Sequence, residues 1–400
     1  MITPASICDF FVEGADTMAI KTGIVRDDRY LEHNTGHIHP EHPTRLKSVY
    51  KMLDSEFLDG LIRIEAQLAP LEYLEFVHTP IYIEKVLKTA NHDFTSLAPD
   101  TPASAKTWLA ASLAVGGCIS GLEALVDKKC EVCFSLIRPP GHHALADRAA
   151  GFCVFNNLAI TARYAALWHN FKRILIIDWD IHHGNGLQDM FYDSSSVFYF
   201  STHDTRLYPY NGDWAETGKG SGRGYTVNVP IPRNLTDSDF FHLYRILLAD
   251  IIAHYRPELI LVAAGFDAHR LDPIGRSSLT EYAFSGLMHL ILDLKKASGD
   301  PPVLMALEGG YHPRALTENA FSGLMHLILD LKKTSGDPPM LMALEGGYHP
   351  RALTDCVRAV LKVLTTKQNQ SVHIPEISQR VETMLEKARQ IHAPYQIWTH

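Results

Sequence analysis

Residues 172–186 read Lys-Arg-Ile-Leu-Ile-Ile-Asp-Trp-Asp-Ile-His-His-Gly-Asn-Gly, in which an aliphatic run is followed by alternating acids and histidines. This aliphatic run, bounded by polar residues, is typical of a strand buried in a parallel sheet. Side chains alternate along a strand, so Asp178, Asp180 and His182 point to one side. Burying two carboxylates and an imidazole is costly unless a divalent cation such as zinc neutralises them. A strand end held by salt bridges is the alternative, but no Lys or Arg directly follows the acids.

Four more apolar runs have the same form, at residues 132–137, 197–200, 259–264 and 303–307. The polar groups that follow these runs are His142-His143, Ser201-Thr202-His203, Asp267 and Glu308-Gly-Gly-Tyr311. In open parallel sheets, ligands bind at the carboxyl ends of the strands. We therefore predict an α/β fold with one parallel sheet flanked by helices. One domain is expected over residues 20–365, followed by a helical tail over residues 366–400.

The chemistry of these strand ends predicts a catalytic metal site. Asp180 and His182 supply two ligands and Asp267 a third, which leaves a position for water. Zinc lowers the pKa of such a water to about 7. His142 and His143 are the candidate acid and base, with Asp178 accepting a hydrogen bond from His142 and Asn185 holding His143. Two carboxylates and one histidine also suit Fe²⁺.

A carbonyl under attack develops negative charge and needs a hydrogen-bond donor opposite the metal. Tyr311, which follows a Glu-Gly-Gly hinge, fits this role. The aromatic rings of Phe152 and Tyr208 are candidates for the walls of a narrow apolar channel.

Residues 283–319 and 320–356 are near copies that differ at four positions. Two such units inside a non-repetitive chain indicate a tandem duplication. A strand in the middle of a sheet cannot be doubled without displacing its neighbours, so we expect one copy in the sheet and the other as an added excursion. Tyr311 is favoured over its counterpart Tyr348 as the functional tyrosine.

The composition sets limits on partners and compartment. The net charge is −8 and no Lys/Arg block exceeds a pair, which argues against a general nucleic-acid binder. The six cysteines show no disulfide framework, and residues 1–20 lack the pattern of a signal peptide. No apolar run is expected to reach the length of a membrane span. A reduced, cytoplasmic setting away from membranes is expected, and oligomerisation is left open.

Four motifs in this order resemble the histone deacetylase superfamily, which includes bacterial histone deacetylase-like and acetylpolyamine amidohydrolases. They are Pro-Pro-Gly-His142-His143, Asp178-Trp-Asp180-Ile-His182-His183-Gly, Gly265-Phe-Asp267-Ala-His and Glu308-Gly-Gly-Tyr311. The resemblance covers about residues 22–365 and implies an arginase/deacetylase-type α/β fold. It also implies a zinc-dependent amide hydrolase that releases acetate from an acylated amine. The implied roles are metal ligands for Asp180, His182 and Asp267, acid/base chemistry for His142 and His143, and carbonyl polarisation for Tyr311.

The resemblance carries further expectations. It implies a structural potassium ion near Asp178, Asp180, His182, Ser201 and Thr202. A second such ion is implied near Phe191, Ser194 and Val197. The substrate channel is expected to involve Phe152, His183, Tyr208 and Ile274. Asn185 matches the class II pattern, and the aliphatic Ile274, where polyamine-directed relatives can carry an acid, favours acetyl-lysine substrates over acylpolyamines.

Two other functions compete with this one. A binuclear manganese ureohydrolase of the arginase type would need more acids at both metal motifs than this chain has. A metal-holding interaction protein, inactivated by the duplication, is the alternative from a different class. Retained zinc without hydrolysis of any acyl-lysine or acylpolyamine would support it.

Overall fold

The computed structural model describes residues 22–398, except for positions 38, 44–45, 48–49, 52, 55–60, 131, 266, 271, 273–274, 276, 281–282, 285, 288–289, 292–293, 295–300, 302, 309–339 and 345–376. The predictions for Ile274, Tyr311 and Tyr348 therefore lie outside the described residues.

A parallel sheet forms the centre of the structure. The described strands are β1 (Thr22–Val25), β2 (Leu61–Ile64), β3 (Thr95–Ala98), β4 (Thr101–Ala103), β5 (Val132–Leu136), β6 (Ile174–Asp178), β7 (Val197–His203), β8 (Thr226–Pro230), β9 (Leu259–Ala264), β10 (Val303–Leu307) and β11 (Met340–Leu344). Nine of them form one sheet in the order β2-β1-β5-β11-β10-β9-β6-β7-β8, and β3 and β4 pair separately as an antiparallel hairpin. Every pairing in the large sheet is parallel. The predicted fold class is confirmed.

Helices connect these strands. The helices with defined bounds are α1 (Leu71–Leu74), α2 (Pro80–Leu87), α3 (Thr107–Val126), α4 (Asn157–Trp168), α5 (Asn185–Phe191), α6 (Asp237–Tyr255) and α7 (Gln379–His392). Short 3-10 turns cover Asp28–Glu32, Lys88–Asn91, Gly220–Gly222 and Ala393–Tyr395. Helix α6 begins with a reciprocal capping box, in which Thr236 and Asp239 each bind the other's backbone N–H.

All five strands predicted from apolar runs are present. Strands β6 and β7 are buried along their whole length, as expected for a sheet covered on both faces. The outer strands β2 and β8 were not predicted, because Leu61–Ile64 and Thr226–Pro230 each contain a polar residue and are too short to show a pattern. The carboxyl ends of β5, β6, β7, β9 and β10 carry the residues of the candidate site.

Helix α3 corrects the expectation that no segment is long enough to span a membrane. It has 20 residues with a mean hydropathy of 1.8, which meets the length and composition of a span. However, 78% of that window is buried inside the protein. Such burial is the pattern of a core helix, since an apolar helix that packs against a sheet satisfies the same test.

The expectation that only one copy of the duplication enters the sheet is wrong. Strand β10 of the first copy pairs with β9, strand β11 of the second copy pairs with β5, and the two strands pair with each other. Val303 lies opposite Met340, its equivalent 37 positions later. Two nearly identical strands can pair in register, so β11 meets β5 and β10 meets β9 with equivalent residues at the same level. The sheet therefore gains a strand without a change of register.

The C-terminal helix α7 packs against α6 and β8. Its buried side chains are Val381, Met384, Leu385, Ala388 and His392. The His392 ring contacts Trp398 edge-on, with ring centroids 5.3 Å apart, and Tyr395 at 5.7 Å. This helix lies within the helical tail predicted over residues 366–400.

We expect the stability of the protein relative to His392→Leu to fall on acidification. Burial lowers the pKa of His392 to about 4, whereas an unfolded histidine has a pKa of about 6.5. Between these pH values the unfolded chain binds a proton on His392 that the folded chain excludes. The free energy of unfolding therefore decreases as the pH falls, by up to about 1.4 kcal/mol per pH unit. Leucine does not titrate. Urea unfolding at pH 7.0, 5.5 and 4.5 measures the difference, with the exposed His254→Leu as control. A difference that is independent of pH would contradict the expectation.

Candidate active site

Three buried side chains form the candidate metal centre. His182 Nδ1 lies 2.8 Å from Asp267 Oδ2 and 3.0 Å from Asp180 Oδ1. One possible ligand atom from each residue lies within 4.8 Å of the others. Two carboxylates and one imidazole are donors that suit Zn²⁺ and Fe²⁺. The structure thus brings together the three residues predicted as ligands.

The backbone holds these side chains in place. Asp180 and His182 follow β6, and Asp267 follows the neighbouring strand β9. The backbone N–H of Ile181 donates to Asp267 Oδ1 at 3.0 Å, which joins the two strand ends. Gly265 lies against Asp180, and a Cβ there would come 1.9 Å from Asp180 Oδ2. Glycine is therefore needed to let the two chains approach.

The charges of the three residues depend strongly on each other. Burial alone would lower the pKa of His182, but Asp267 and Asp180 outweigh it and raise the pKa well above its usual value. Burial and the charge of Asp180 raise the pKa of Asp267. Close carboxylates around one imidazole concentrate negative charge, which is the electrostatic condition that favours a bound cation.

His142 and His143 lie beside this centre. Their ring centroids are 3.9 Å apart, and the centroid of the His143 ring lies 6.2 Å from that of His182. His143 Nδ1 is 2.9 Å from Asn185 Oδ1, the predicted contact. His142 Nδ1 is 3.8 Å from Asp178 Oδ2, an ion-pair distance rather than the predicted hydrogen bond.

The surrounding charges and burial shift the pKa values of the two histidines in opposite directions. Burial lowers the pKa of His142, but Asp178 and Asp180 outweigh it and the net pKa is raised. The pKa of His143 lies well below its usual value because of burial and the neighbouring His142 and His182. A cation at the three ligands would change the pKa values of both histidines, since its charge offsets that of the carboxylates.

Sequence reasoning gave no role in the site to two residues near the histidines, Tyr199 and Glu308. Tyr199 donates to Asp178 Oδ2 at 3.0 Å, and its hydroxyl also lies 3.2 Å from Gly184 O. A tyrosine in a fully buried strand needs a partner for its hydroxyl, which was the available signal. Glu308 lies 3.7 Å from His142 Nε2 and is buried. Its place directly after β10 was the signal for the carboxylate.

The predicted channel residues have different environments. Tyr208 lies edge-on to His143, with ring centroids 5.0 Å apart. Gly151 lies against the same histidine, since a Cβ there would lie 2.4 Å from His143 Cδ2. Phe152 follows Gly151 in the chain, and its ring lies edge-on to His39, with centroids 4.8 Å apart. His183 is instead fully buried, with its ring nitrogens 2.7 Å from Asn211 Oδ1 and 3.0 Å from Gln188 Oε1. The structure brings Tyr208 to His143 and gives His183 internal partners, while the place of Phe152 in the channel remains a prediction.

The residues expected around a potassium ion lie together in the sheet. Ser201 is opposite Asp178 in the pairing of β6 with β7. Its hydroxyl lies 2.8 Å from His203 Nδ1, and that of Thr202 lies 2.7 Å from the Tyr244 hydroxyl. The potassium site remains a prediction.

Comparisons with known proteins agree on one family. A family model described as the histone deacetylase domain matches residues 39–321. A probable deacetylase of Archaeoglobus fulgidus is 36% identical over 293 residues, which cover 72% of this chain and 81% of that protein. Histone deacetylase 15 of Arabidopsis thaliana is 33% identical over 312 residues, covering 76% of this chain and 56% of that protein.

A solved structure supports the same conclusion. The crystal structure of the HDA15 HD domain matches with a TM-score of 0.74 and 28% identity, covering 94% of this chain and 95% of that one. The parallel sheet with its site at the strand ends therefore corresponds to the deacetylase fold. From its sequence and its fold alike, the chain belongs to the histone deacetylase family.

Proposed function

We propose that the chain is a zinc-dependent hydrolase that removes acetyl groups from lysine side chains. The observation that carries the proposal is the convergence of Asp180, His182 and Asp267 beside the His142–His143 pair. The names of its relatives, a probable deacetylase and several histone deacetylases, support the same reaction. We propose a cytoplasmic location on the composition of the chain.

The three ligands fit a zinc ion by their chemistry and burial. All three are buried, and their donor atoms converge. When bound, zinc supplies Lewis acidity that polarises a carbonyl and lowers the pKa of water to about 7. Asp180, His182 and Asp267 would hold it. Potassium at the predicted residues would have a structural role.

Side chains of the protein transfer the protons and polarise the substrate carbonyl. Asn185 Oδ1 is an acceptor, so His143 Nδ1 carries the hydrogen and Nε2 can take a proton from the attacking water. That water adds to the acyl carbon, the C–N bond breaks, and the leaving amine takes up a proton. His142, which faces Asp178, completes the acid/base pair. Tyr311 is proposed to polarise the carbonyl.

The substrate class is proposed from the surroundings of His143. The half-buried Tyr208 lies next to it, Phe152 directly follows the adjacent Gly151 in the chain, and both aromatic rings suit the methylene chain of lysine. A small acylated polyamine is the alternative substrate, and Ile274 argues against it because an aliphatic side chain gives no partner to a distant ammonium. The second alternative is that the duplication has removed the activity. The entry of both copies into the sheet is the observation that favours it.

The test is hydrolysis of a fluorogenic acetyl-lysine peptide by the full chain before and after chelation, and again after zinc is restored. We expect activity that chelation removes and zinc restores. Acetylspermidine is assayed in parallel, and activity on it alone would replace lysine with polyamine as the substrate. Tyr311→Phe should lose most of the activity and Tyr348→Phe should keep it. The reverse would assign the role to the second copy.

A variant that lacks residues 320–356 separates the remaining outcomes. Because β10 and β11 have the same register, one strand can pair with both β9 and β5. If the parent binds zinc but is inactive and this variant is active, the duplication silences the enzyme. If both bind zinc and neither hydrolyses any of the substrates, the proposed deacetylase activity is wrong.

A further inference from the structure

The loop from Gly141 to Asn156 carries both catalytic histidines, and it is held by hydrogen bonds to its backbone carbonyls. The N–H of Leu187 in α5 donates to the carbonyl of His142 at 3.2 Å. Asn156 Nδ2 donates to the carbonyl of Ala144 at 3.1 Å. The N–H of Thr79 donates to the carbonyl of Ala146 at 2.8 Å. Donors from three parts of the chain thus fix the segment just after the histidine pair.

His78 makes the contact that connects the two ends of this loop. Its Nε2 accepts from the N–H of Asn156 at 2.9 Å, and its Nδ1 lies 3.0 Å from the carbonyl of Leu145. A backbone N–H can only donate and a carbonyl can only accept. The two partners therefore fix one tautomer of His78, with the hydrogen on Nδ1.

The ring of His78 has no freedom to turn away from these partners. It is 2% exposed and lies between Tyr82 and Phe155, at centroid distances of 5.4 and 5.2 Å. Tyr82 also donates to the carbonyl of Val154 at 2.6 Å, on the same loop. Burial lowers the pKa of His78 to about 4, so the ring is neutral at the pH of an assay.

Asn156 extends the link into helix α4. Its Oδ1 accepts from the N–H of Ala159 and caps the helix at 3.0 Å, while its Nδ2 holds Ala144 and its N–H holds His78. Asn156 thus joins the start of a helix and the turn after His143 through its side chain, and the ring of His78 through its backbone N–H. The position of the histidine pair is thereby connected to α4 and to the turn before α2.

We propose that His78 is a positioning residue that keeps His142 and His143 in their working geometry. The inference rests on the proposed function for its catalytic meaning. His78 touches neither the three metal ligands nor the two catalytic rings in any described contact, and it acts through the backbone of their loop. A misplacement of about 1 Å in a catalytic group can lower a rate by about 10²-fold. Removal of His78 should therefore affect the rate more than the binding of substrate or metal.

The experiment compares His78→Leu, which removes both hydrogen bonds, with His78→Gln, whose amide can both accept and donate. His392→Leu is the matched control, because His392 is equally buried but lies on α7, away from the loop. Each full-length protein is loaded with zinc. Zinc per chain, the unfolding midpoint, kcat and KM for the acetyl-lysine peptide are measured, together with hydrogen exchange of residues 141–156.

We expect His78→Leu to lose about 30- to 100-fold in kcat with KM changed by less than about threefold and zinc content unchanged. His78→Gln should recover to within about fivefold of the parent, and His392→Leu should stay within about twofold. A folded, zinc-loaded His78→Leu with kcat within about threefold of the parent overturns the proposal. Loss of zinc along with the activity also overturns it, because the role would then be structural.

Hydrogen exchange separates this inference from the proposed function. If the parent is inactive on every substrate, the deacetylase proposal fails but the positioning role can still be judged. Faster exchange within residues 141–156 of His78→Leu, with β9 unchanged, supports the role. Unchanged exchange in the loop overturns it.

Discussion

Asp267→Asn is expected to lower kcat/KM for the acetyl-lysine peptide by at least about 10³-fold and to reduce zinc bound per chain. The amide keeps the shape of the carboxylate but loses its charge and is a much weaker ligand. Asp267 also accepts from the N–H of Ile181, so the substitution loosens the link between the ends of β6 and β9. Metal analysis after dialysis and steady-state kinetics on the same sample measure both effects.

The matched control for this substitution is Asp204→Asn. Asp204 is as buried as Asp267 and also follows a strand of the sheet, but its carboxylate binds Arg206 and Arg233 at 2.7 and 3.0 Å. We expect this variant to keep its zinc. Full zinc binding and full activity in Asp267→Asn would contradict the proposed role of Asp267 as a metal ligand. Equal loss of zinc in both variants would point to general damage at this edge of the sheet.

Arg138→Met is expected to lower the free energy of unfolding by about 3–5 kcal/mol. The guanidinium of Arg138 is fully buried and binds both carboxylate oxygens of Glu41 at 2.7 Å. It also donates to the carbonyls of Tyr30 and His33 at 2.7 and 2.8 Å. The substitution leaves the carboxylate buried without its guanidinium, and removing one partner of a buried ion pair is far costlier than replacing both.

The double variant Arg138→Met/Glu41→Leu tests this reason. It should recover at least about half of the lost stability, although the two carbonyls still lose their donor. Arg148→Met, which breaks an exposed pair with Asp147, should change stability by less than about 1 kcal/mol. Guanidinium chloride unfolding at pH 7 measures all three. A double variant less stable than Arg138→Met would show that Glu41 stabilises the fold without the arginine.

The centre of the sheet and the metal ligands could be predicted because they depend on local patterns. Apolar runs mark buried strands, and the carboxyl ends of parallel strands lie along one edge of a sheet. Asp180 and Asp267 are 87 positions apart in sequence, but this rule places them together. The contact of Asn185 with His143 followed from the same reasoning.

The contacts that support the site could not be predicted in this way. His78 lies in a short turn between two helices, and no pattern in the sequence relates it to Asn156. The pairing of β10 with β11 was missed for a different reason. The expectation of a single copy assumes a sheet with a fixed number of positions, whereas two strands with nearly the same sequence can pair in register and add a position.

The equal register of β10 and β11 also has a consequence for the gene. Each copy of the repeat is encoded by 37 codons, so loss of one unit preserves the reading frame. The shortened product would join Asn319 to Val357, and the strand that remains already has the register that both neighbours require. A gene that loses one unit would therefore encode a sheet with eight of the nine described strands. Cultures that carry the gene should be screened for that shorter allele.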